Sequence, residues 1–255
     1  MKFKIILVTQ ARTSSTRLPG KVLMNICGKP MINYHLERLS QSINLDKIIV
    51  ATTNNQKDDI LANYVESLDF EIYRGSEHDV LDRYYQSVKN YLPDWVVRVT
   101  SDCPLIDPVL IDKVISNVLN SGCDYGSNTL VEKFPDGQDI EVFKFSTLKQ
   151  AWKESKLKSD REHVTSYIKK NSDFNGGKLF QAINYPIDVD YSKTRMTVDE
   201  MEDLEVIKIL IKNLGSNKTW LDYANYISLK GLNKINGMII RNEGLYKSLK
   251  NDKNG

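Results

Sequence analysis

No stretch of this 255-residue chain approaches the roughly 18 consecutive apolar residues that a membrane-spanning helix needs. The longest early run, Ile5 to Val8, is too short even for the apolar centre of a secretory leader and reads as a buried strand. An excess of charge is also lacking. Lys and Arg number 35 against 33 Asp and Glu, a net charge of +2, so nothing supports a nucleic-acid partner held by bulk attraction to phosphate. Cysteine is scarce. Cys27, Cys103 and Cys123 form no C-x-x-C pair, and the three histidines complete no zinc-ligand spacing. Reduced thiols in a cytoplasmic protein are the expectation. Internal repeats and low-complexity tracts are missing too.

What is present is core material. Hydrophobic residues make up 41% of the chain, including 13 Tyr and 7 Phe, which suits a globular protein with a large domain and at most a small appendage. The first half alternates short apolar runs with segments of helical period. Strands are expected at Phe3–Val8, Lys47–Thr52, Phe70–Tyr73 and Trp95–Thr100. Helices are expected from Pro30, over 57–68 with Ile60, Leu61, Tyr64, Val65 and Leu68 on one side, over 79–91, and from Pro108. Such alternation implies crossover connections, hence an α/β fold with a mostly parallel sheet flanked by helices. Ligands of such sheets bind beyond the carboxyl ends of the strands, so function is expected just after Val8, Thr52, Tyr73 and Thr100.

The second half is less regular. Ile140–Phe145 alternates like an antiparallel or edge strand. Helices are expected over 160–170 and 200–213, with capping boxes Ser159/Glu162 and Asp199/Glu202. Beyond Gly215 the composition shifts towards Asn, Lys and Gly, and residues 230–255 carry six basic and two acidic side chains. A main domain over 1–214 and a peripheral helical appendage over 215–255 are the reading.

The loop after the first strand, TQARTSSTRLPGK over 9–21, holds Arg12, Arg17 and Lys21, a hydroxyl run from Thr13 to Thr16, and no acid. Fixed cations, backbone N–H groups and hydroxyls at a strand's carboxyl end suit a polyphosphate. Neither a G-x-x-x-x-G-K-[ST] loop nor a G-x-G-x-x-G fingerprint occurs. Asp102, following the fourth strand, can hold Mg²⁺ against phosphate oxygens, because Mg²⁺ takes one or two carboxylates plus phosphates and water. Asp199 reads on residue type as an N-cap.

The string ARTSSTRLPGK closely resembles the signature of the sugar-activating cytidylyltransferases, which include the Kdo- and acylneuraminate-activating enzymes and relatives in spore-coat polysaccharide synthesis. Gln10-Ala11-Arg12 is most similar to the spore-coat branch. VRVTSDCPLIDP (97–108) and MTVDEMEDLE (196–205) carry the resemblance further, to about residue 213. It implies a Rossmann-like sheet of the nucleotide-diphospho-sugar transferase type, with a smaller antiparallel arm serving the acceptor or a homodimer contact. It implies CTP as one partner and a small acidic sugar as the other, with Mg²⁺ held by Asp102 and Asp199. The nucleotide would be bound by Gln10, Ala11, Arg12, Ser15, Arg17, Lys21, Arg74, Gly75, Arg83 and Ser101, where Ser101 stands in place of the usual Gly. Arg12, Arg17, Lys21 and Asp102 would carry the chemistry. Gln138, Asp139, Glu141, Arg161, His163 and Arg195 are acceptor-side candidates, with Lys193 as a further cation. Arg98 points either to a core pair or to the site. Two alternatives remain: a nucleotidyltransferase with another base or a phosphate or phosphonate acceptor, and a nucleotide-binding subunit that has lost its chemistry.

Overall fold

The structure, a computed structural model, describes residues 3–254. Among these residues nine strands run in chain order as β1 Ile5–Gln10, β2 Asn25–Ile26, β3 Lys29–Pro30, β4 Lys47–Thr53, β5 Glu71–Gly75, β6 Trp95–Thr100, β7 Tyr125–Ser127, β8 Glu141–Lys144 and β9 Ala182–Asn184. Seven of them form one sheet in the order β5-β4-β1-β6-β8-β7-β9, and β2 and β3 make a small separate hairpin. The neighbours β5-β4, β4-β1 and β1-β6 are parallel. β8 runs antiparallel to both β6 and β7.

The central strands β1, β4 and β6 are mostly apolar because both faces are covered. Alternate residues serve different cores. Ile5, Leu7, Val50, Val97 and Val99 face one cluster, together with Leu36 and helices further along the chain. Ile6, Val8, Ile49, Ala51 and Val96 face the other, with Leu81, Tyr84 and Leu148. Helices α1 Met31–Leu39, α2 Asp59–Ser67 and α4 Pro108–Ser121 pack on the first face. Helices α3 Val80–Val88 and α5 Phe145–Glu154 pack on the second. Asp107 caps α4, accepting from the backbone of Val109 at 2.9 Å, with Pro108 at the first helical position.

Several expectations are corrected. β8 is antiparallel, as one of the two readings had it, but lies inside the sheet, and β9 takes the edge position; the three-residue strands β7 and β9 were not anticipated. The helix expected over 160–170 is two short helices, α6 Lys158–Glu162 and α7 Ser166–Lys170, and Ser159 lies buried within α6 instead of capping it. Ile60 faces solvent. Helix α8, Met201–Leu214, is capped by Glu200 and not by Asp199. The buried Asp203 carboxylate accepts from the N–H groups of Asp199 and Glu200 at 2.9 and 3.1 Å, which closes the helix start one residue later than the D-x-x-E pattern suggests. The segment after Gly215 is helical but not peripheral. In α9, Trp220–Lys230, Tyr223 and Ile227 belong to the main core. In α10, Asn233–Asn236, the buried Asn236 amide donates to Asp203 at 2.9 Å. The last helix, α11 Glu243–Asn254, returns to the carboxyl edge of the sheet.

Candidate active site

In the parallel register Gln10 stands beside Thr100 on one side and Ala51 on the other. The chain leaving β1, β4, β5 and β6 therefore emerges along a single edge. Gly20, at φ 72°, lets the 11–20 loop turn back, and its N–H donates to Thr13 O at 2.8 Å. The other end of that loop is anchored by Asp58, which accepts from Thr13 N and Oγ1 at 2.7 Å each. Lys21 then opens a short 3₁₀ turn with its side chain directed inward.

The segment carrying Asp199 is brought to Asp102 by backbone pairing. Val198 N–H donates to Asp102 O at 2.8 Å, and Thr197 Oγ1 donates to the same oxygen at 3.2 Å. Behind it, the 134–137 loop is laced to 194–196 through Asp136 N to Thr194 O and Met196 N to Asp136 O. Gly137 permits this crossing. It sits at φ 101°, and a Cβ there would fall 2.5 Å from Thr197 N.

Asp102 and Asp199 consequently converge on one cation. The Lys21 ammonium donates to Asp102 Oδ2 at 3.2 Å, Asp199 Oδ1 at 2.9 Å and Val198 O at 2.7 Å. All three of its protons are used. Burial opposes the charge on Lys21, but the two carboxylates outweigh it and its pKa is raised. Burial likewise pushes the Asp102 carboxyl up, yet Lys21 and a hydrogen bond from Thr100 pull it down to about 2. Arg195 holds Asp199 from the other side at 2.8 Å while bonding Asp203 at 2.8 and 3.0 Å and pairing with Asp136.

Two adjoining chambers meet here. One, of about 460 Å³, is lined by Gln10, Ala11, Arg12, Ser15, Arg17, Lys21, Arg83, Ser101 and Asp102. The other, of about 430 Å³, is lined by Asp136, Asp139, Glu141, Thr165, Lys169 and Asp199. Gln10, Arg17, Arg98, Thr100, Asp102 and His163 border both. Glu141 is paired with Arg98 and with Lys169 at 2.9 Å, and accepts from Tyr125 Oη and Thr165 Oγ1 at 2.6 and 2.7 Å. Despite its burial, Lys169 and Arg98 hold its carboxyl far below the usual range. Asp136 behaves oppositely. Burial and the neighbouring Asp139 push it up to about 7, against the pull of Arg241 and Arg195.

The loop cations are all engaged by acids from elsewhere in the chain. Arg12 pairs with Glu77 at 3.3 Å, and Arg17 with Asp199 at 2.8 Å and Glu243 at 3.7 Å. Six of the anticipated residues, Arg74, Gly75, Arg161, Gln138, Arg195 and Lys193, border neither chamber. Arg74 is tied to Asp59 at 2.6 Å and to the carbonyls of Thr53 and Asn55. Gly75 serves packing, since a Cβ there would press Tyr73 at 3.0 Å and Arg83 at 3.2 Å. Arg161 forks onto Asp79 and donates to Trp152 O. Gln138 is fully buried and bridges Asp107 N and Leu105 O at 2.9 Å each. Arg195 acts behind Asp199 without bordering a chamber, and Lys193 is exposed. Residues not anticipated are Asp136, Lys169, Arg241 and Glu243. Each lies far in sequence from the loop motif; Asp136 shares the 134–141 segment with the acceptor-side candidates Gln138, Asp139 and Glu141, and the other three carry no local pattern that marks them.

Among the described residues no group of three or more His, Cys, Asp or Glu forms a metal cage, and no helix is long and apolar enough to cross a membrane. The sequence matches the cytidylyltransferase family over residues 5–237. It is 40% identical over 210 residues to an uncharacterised protein of Methanocaldococcus jannaschii, covering 82% of this chain and 84% of that one. It is 32% identical over 216 residues to the spore coat polysaccharide biosynthesis protein SpsF of Bacillus subtilis, covering 83% and 88%. A cytidylyltransferase from Leptospira borgpetersenii serovar Hardjo-bovis superposes with a TM-score of 0.84 at 30% identity, over 94% of this chain and all of the other. With a match that extends past α9 and α10 and leaves out only the last helix, this chain belongs to the cytidylyltransferase family.

Proposed function

We propose that the protein transfers CMP from CTP to a hydroxyl of an acidic sugar, releasing pyrophosphate, in the synthesis of a surface polysaccharide or related glycan. The observation that carries this reading is the convergence of Asp102 and Asp199 on one ammonium, at the border between a chamber rich in cations and a second chamber beside it. Family membership supports the CTP half of the reading, and the relationship to a spore-coat polysaccharide protein supports the glycan half.

In this reading the first chamber takes the nucleotide. Arg12, Arg17 and Lys21 exchange their carboxylate partners for the β- and γ-phosphates, and Ser15 adds a hydroxyl. Asp102 and Asp199 fit Mg²⁺, because two carboxylates already share one cation and phosphate oxygens and water would complete its shell. When bound, Mg²⁺ would neutralise phosphate charge and lower the barrier to displacement at phosphorus. Lys21 neutralises the same two carboxylates in the free protein, and it would be free to bond phosphate if the ion took over that role. The acceptor hydroxyl oxygen attacks the α-phosphorus and gives up its proton to water, the bond to the α,β-bridging oxygen breaks, and the departing pyrophosphate charge is held by the loop cations. Positioning and electrostatics supply the rate, and no covalent intermediate is required.

The second chamber takes the acceptor. Asp139 is placed to accept from sugar hydroxyls. Arg98 Nε and His163 Nε2 are buried without a hydrogen-bond partner among the described residues and border both chambers. Buried polar atoms are costly to leave unpaired, and a carboxylate on the acceptor would satisfy them. Lys169, about one-third exposed, adds a cation beside Glu141.

The test is pyrophosphate release with CTP and Mg²⁺ against a panel of sugar acids, with neutral sugars and sugar phosphates as controls. Release with at least one sugar acid is expected, with CTP outranking UTP, GTP and ATP in thermal-shift measurements. Turnover confined to a phosphate or phosphonate acceptor would overturn the acceptor assignment. Tight CTP binding with no turnover on any acceptor would favour a non-catalytic subunit.

A further inference from the structure

Helix α11 begins beyond residue 237, where the family match ends, yet it contributes Glu243, Gly244 and Lys247 to the nucleotide chamber. Polar contacts on both sides hold it there. Arg241, just before it, donates to Phe134 O at 3.0 Å and Asp139 Oδ1 at 2.7 Å. Ser248 Oγ donates to Glu162 at 2.7 Å, and Asp252 accepts from Ser159 N at 3.3 Å.

The Glu243 carboxylate divides between two cations. One oxygen lies 2.6 Å from Lys247 Nζ and the other 3.7 Å from an Arg17 Nη. An exposed Glu–Lys pair four residues apart is common on helices and on its own says little. The addition of Arg17, contributed by the loop after β1, changes its meaning. Two cations from opposite ends of the chain share one anionic group on the wall of a phosphate-sized chamber. A phosphate, with more charge and more acceptor oxygens than a carboxylate, would make the same two contacts more strongly.

We propose that Lys247 is a fourth phosphate-binding cation of the nucleotide site and that Glu243 is the counter-ion which Lys247 and Arg17 release when a triphosphate enters. The proposal rests on the nucleotide reading above and extends it to a helix outside the family match. Glu243 keeps two mutually repelling cations together in the empty site, and its own charge opposes premature anion entry. The swap leaves the number of charge contacts on each cation unchanged, so the gain on binding comes from the stronger acceptor.

The experiment is calorimetric binding of CTP with Mg²⁺, and separately of inorganic pyrophosphate with Mg²⁺, to the full chain and to Glu243→Gln, Lys247→Gln and the double variant. Both positions are on the surface, so folding is checked by circular dichroism and is expected to be unchanged. Glu243→Gln should tighten both ligands by roughly two- to fivefold, and Lys247→Gln should weaken both by a similar factor, the range for a solvent-exposed charge contact. The Lys247→Gln loss should persist in the Glu243→Gln background. If it vanishes there, Lys247 only neutralises Glu243 and the proposal is overturned. Equal binding by all four proteins also overturns it while leaving the nucleotide site intact. Failure of the unaltered chain to bind CTP at all would instead remove the nucleotide reading, and this proposal with it.

Discussion

Replacing Lys21 by Met removes the cation on which the two carboxylates converge. Met keeps the length and apolar stem of the side chain, so the loss is chiefly of charge. The ammonium it deletes bonds Asp102 at 3.2 Å and Asp199 at 2.9 Å. Breaking a buried pair costs about 3–5 kcal/mol when the surviving charge has no other partner. Here the survivors are partly compensated. Asp199 keeps Arg17 and Arg195 at 2.8 Å each, and the Asp102 side chain is 25% exposed. The expected cost is therefore about 2–3 kcal/mol, a fall in Tm of roughly 4–12 °C for a chain of this size. The pH dependence has a definite sign. Asp102 has a folded-state pKa depressed to about 2, so its contribution is present above the ordinary carboxylate range and lost as pH falls through that value. In Lys21→Met the depression is relieved, so the deficit should be full above pH about 4 and shrink below it. Millimolar Mg²⁺ should raise the Tm of the variant more than that of the unaltered chain, because no ammonium competes for the carboxylates. The assay is thermal denaturation followed by circular dichroism from pH 3 to 8, with and without Mg²⁺. A deficit below about 1 °C at pH 7, or an identical response to Mg²⁺, would refute the shared-cation account.

Asp102→Asn should fold normally and lose metal-dependent pyrophosphate release to the background rate; turnover near that of the unaltered chain would remove Asp102 from the mechanism. Arg195→Met strands Asp136, Asp199 and the fully buried Asp203 without their common cation. It should cost about 3–5 kcal/mol in urea denaturation, and a loss under about 1 kcal/mol would contradict the positioning role given to Arg195. His35 is wholly buried between Thr9 Oγ1 and Cys103 O at 2.9 Å each, and burial lowers its pKa to about 4. The unfolded chain takes up this proton near pH 6.5, so about 3 kcal/mol of stability should be lost as pH falls from there to about 4. His35→Gln should flatten that part of the stability curve, and an unchanged slope would show that His35 does not titrate there.

The four parallel strands were readable because short, largely apolar runs alternate with helical segments, even though Arg98 interrupts β6 and β5 is only half-buried. β7 and β9 were not, since three residues are too few to show a period. The start of α8 shows how a local pattern can be outvoted. Residues 199–202 and 200–203 both satisfy a capping-box spacing, and the second prevails because Asp203 is fixed by Arg195 and Asn236. That shift of one residue frees the Asp199 carboxylate for Lys21 and Arg17. Two acceptor-side candidates are held by other parts of the chain for a similar reason. Arg161 answers to Asp79, 82 positions away, and Gln138 to backbone groups near the start of α4. Residue type marks a side chain as capable of gripping a ligand; only the fold shows whether something else already holds it.

A polyphosphate site of the proposed kind need leave no trace in the overall charge of +2. The loop after β1 carries three cations and no acid, yet each of those cations is matched by carboxylates contributed from other elements. Three unpaired cations held this close together would destabilise the empty protein by mutual repulsion. Placing the acids on separate elements lets each cation be neutralised in the free state and still be reached by phosphate, provided the phosphate is the stronger acceptor. Nucleotide affinity then depends on a difference between two sets of charge contacts, and it should be tuned more by substitutions at Glu77 and Glu243, which must let go, than by adding further cations around the loop.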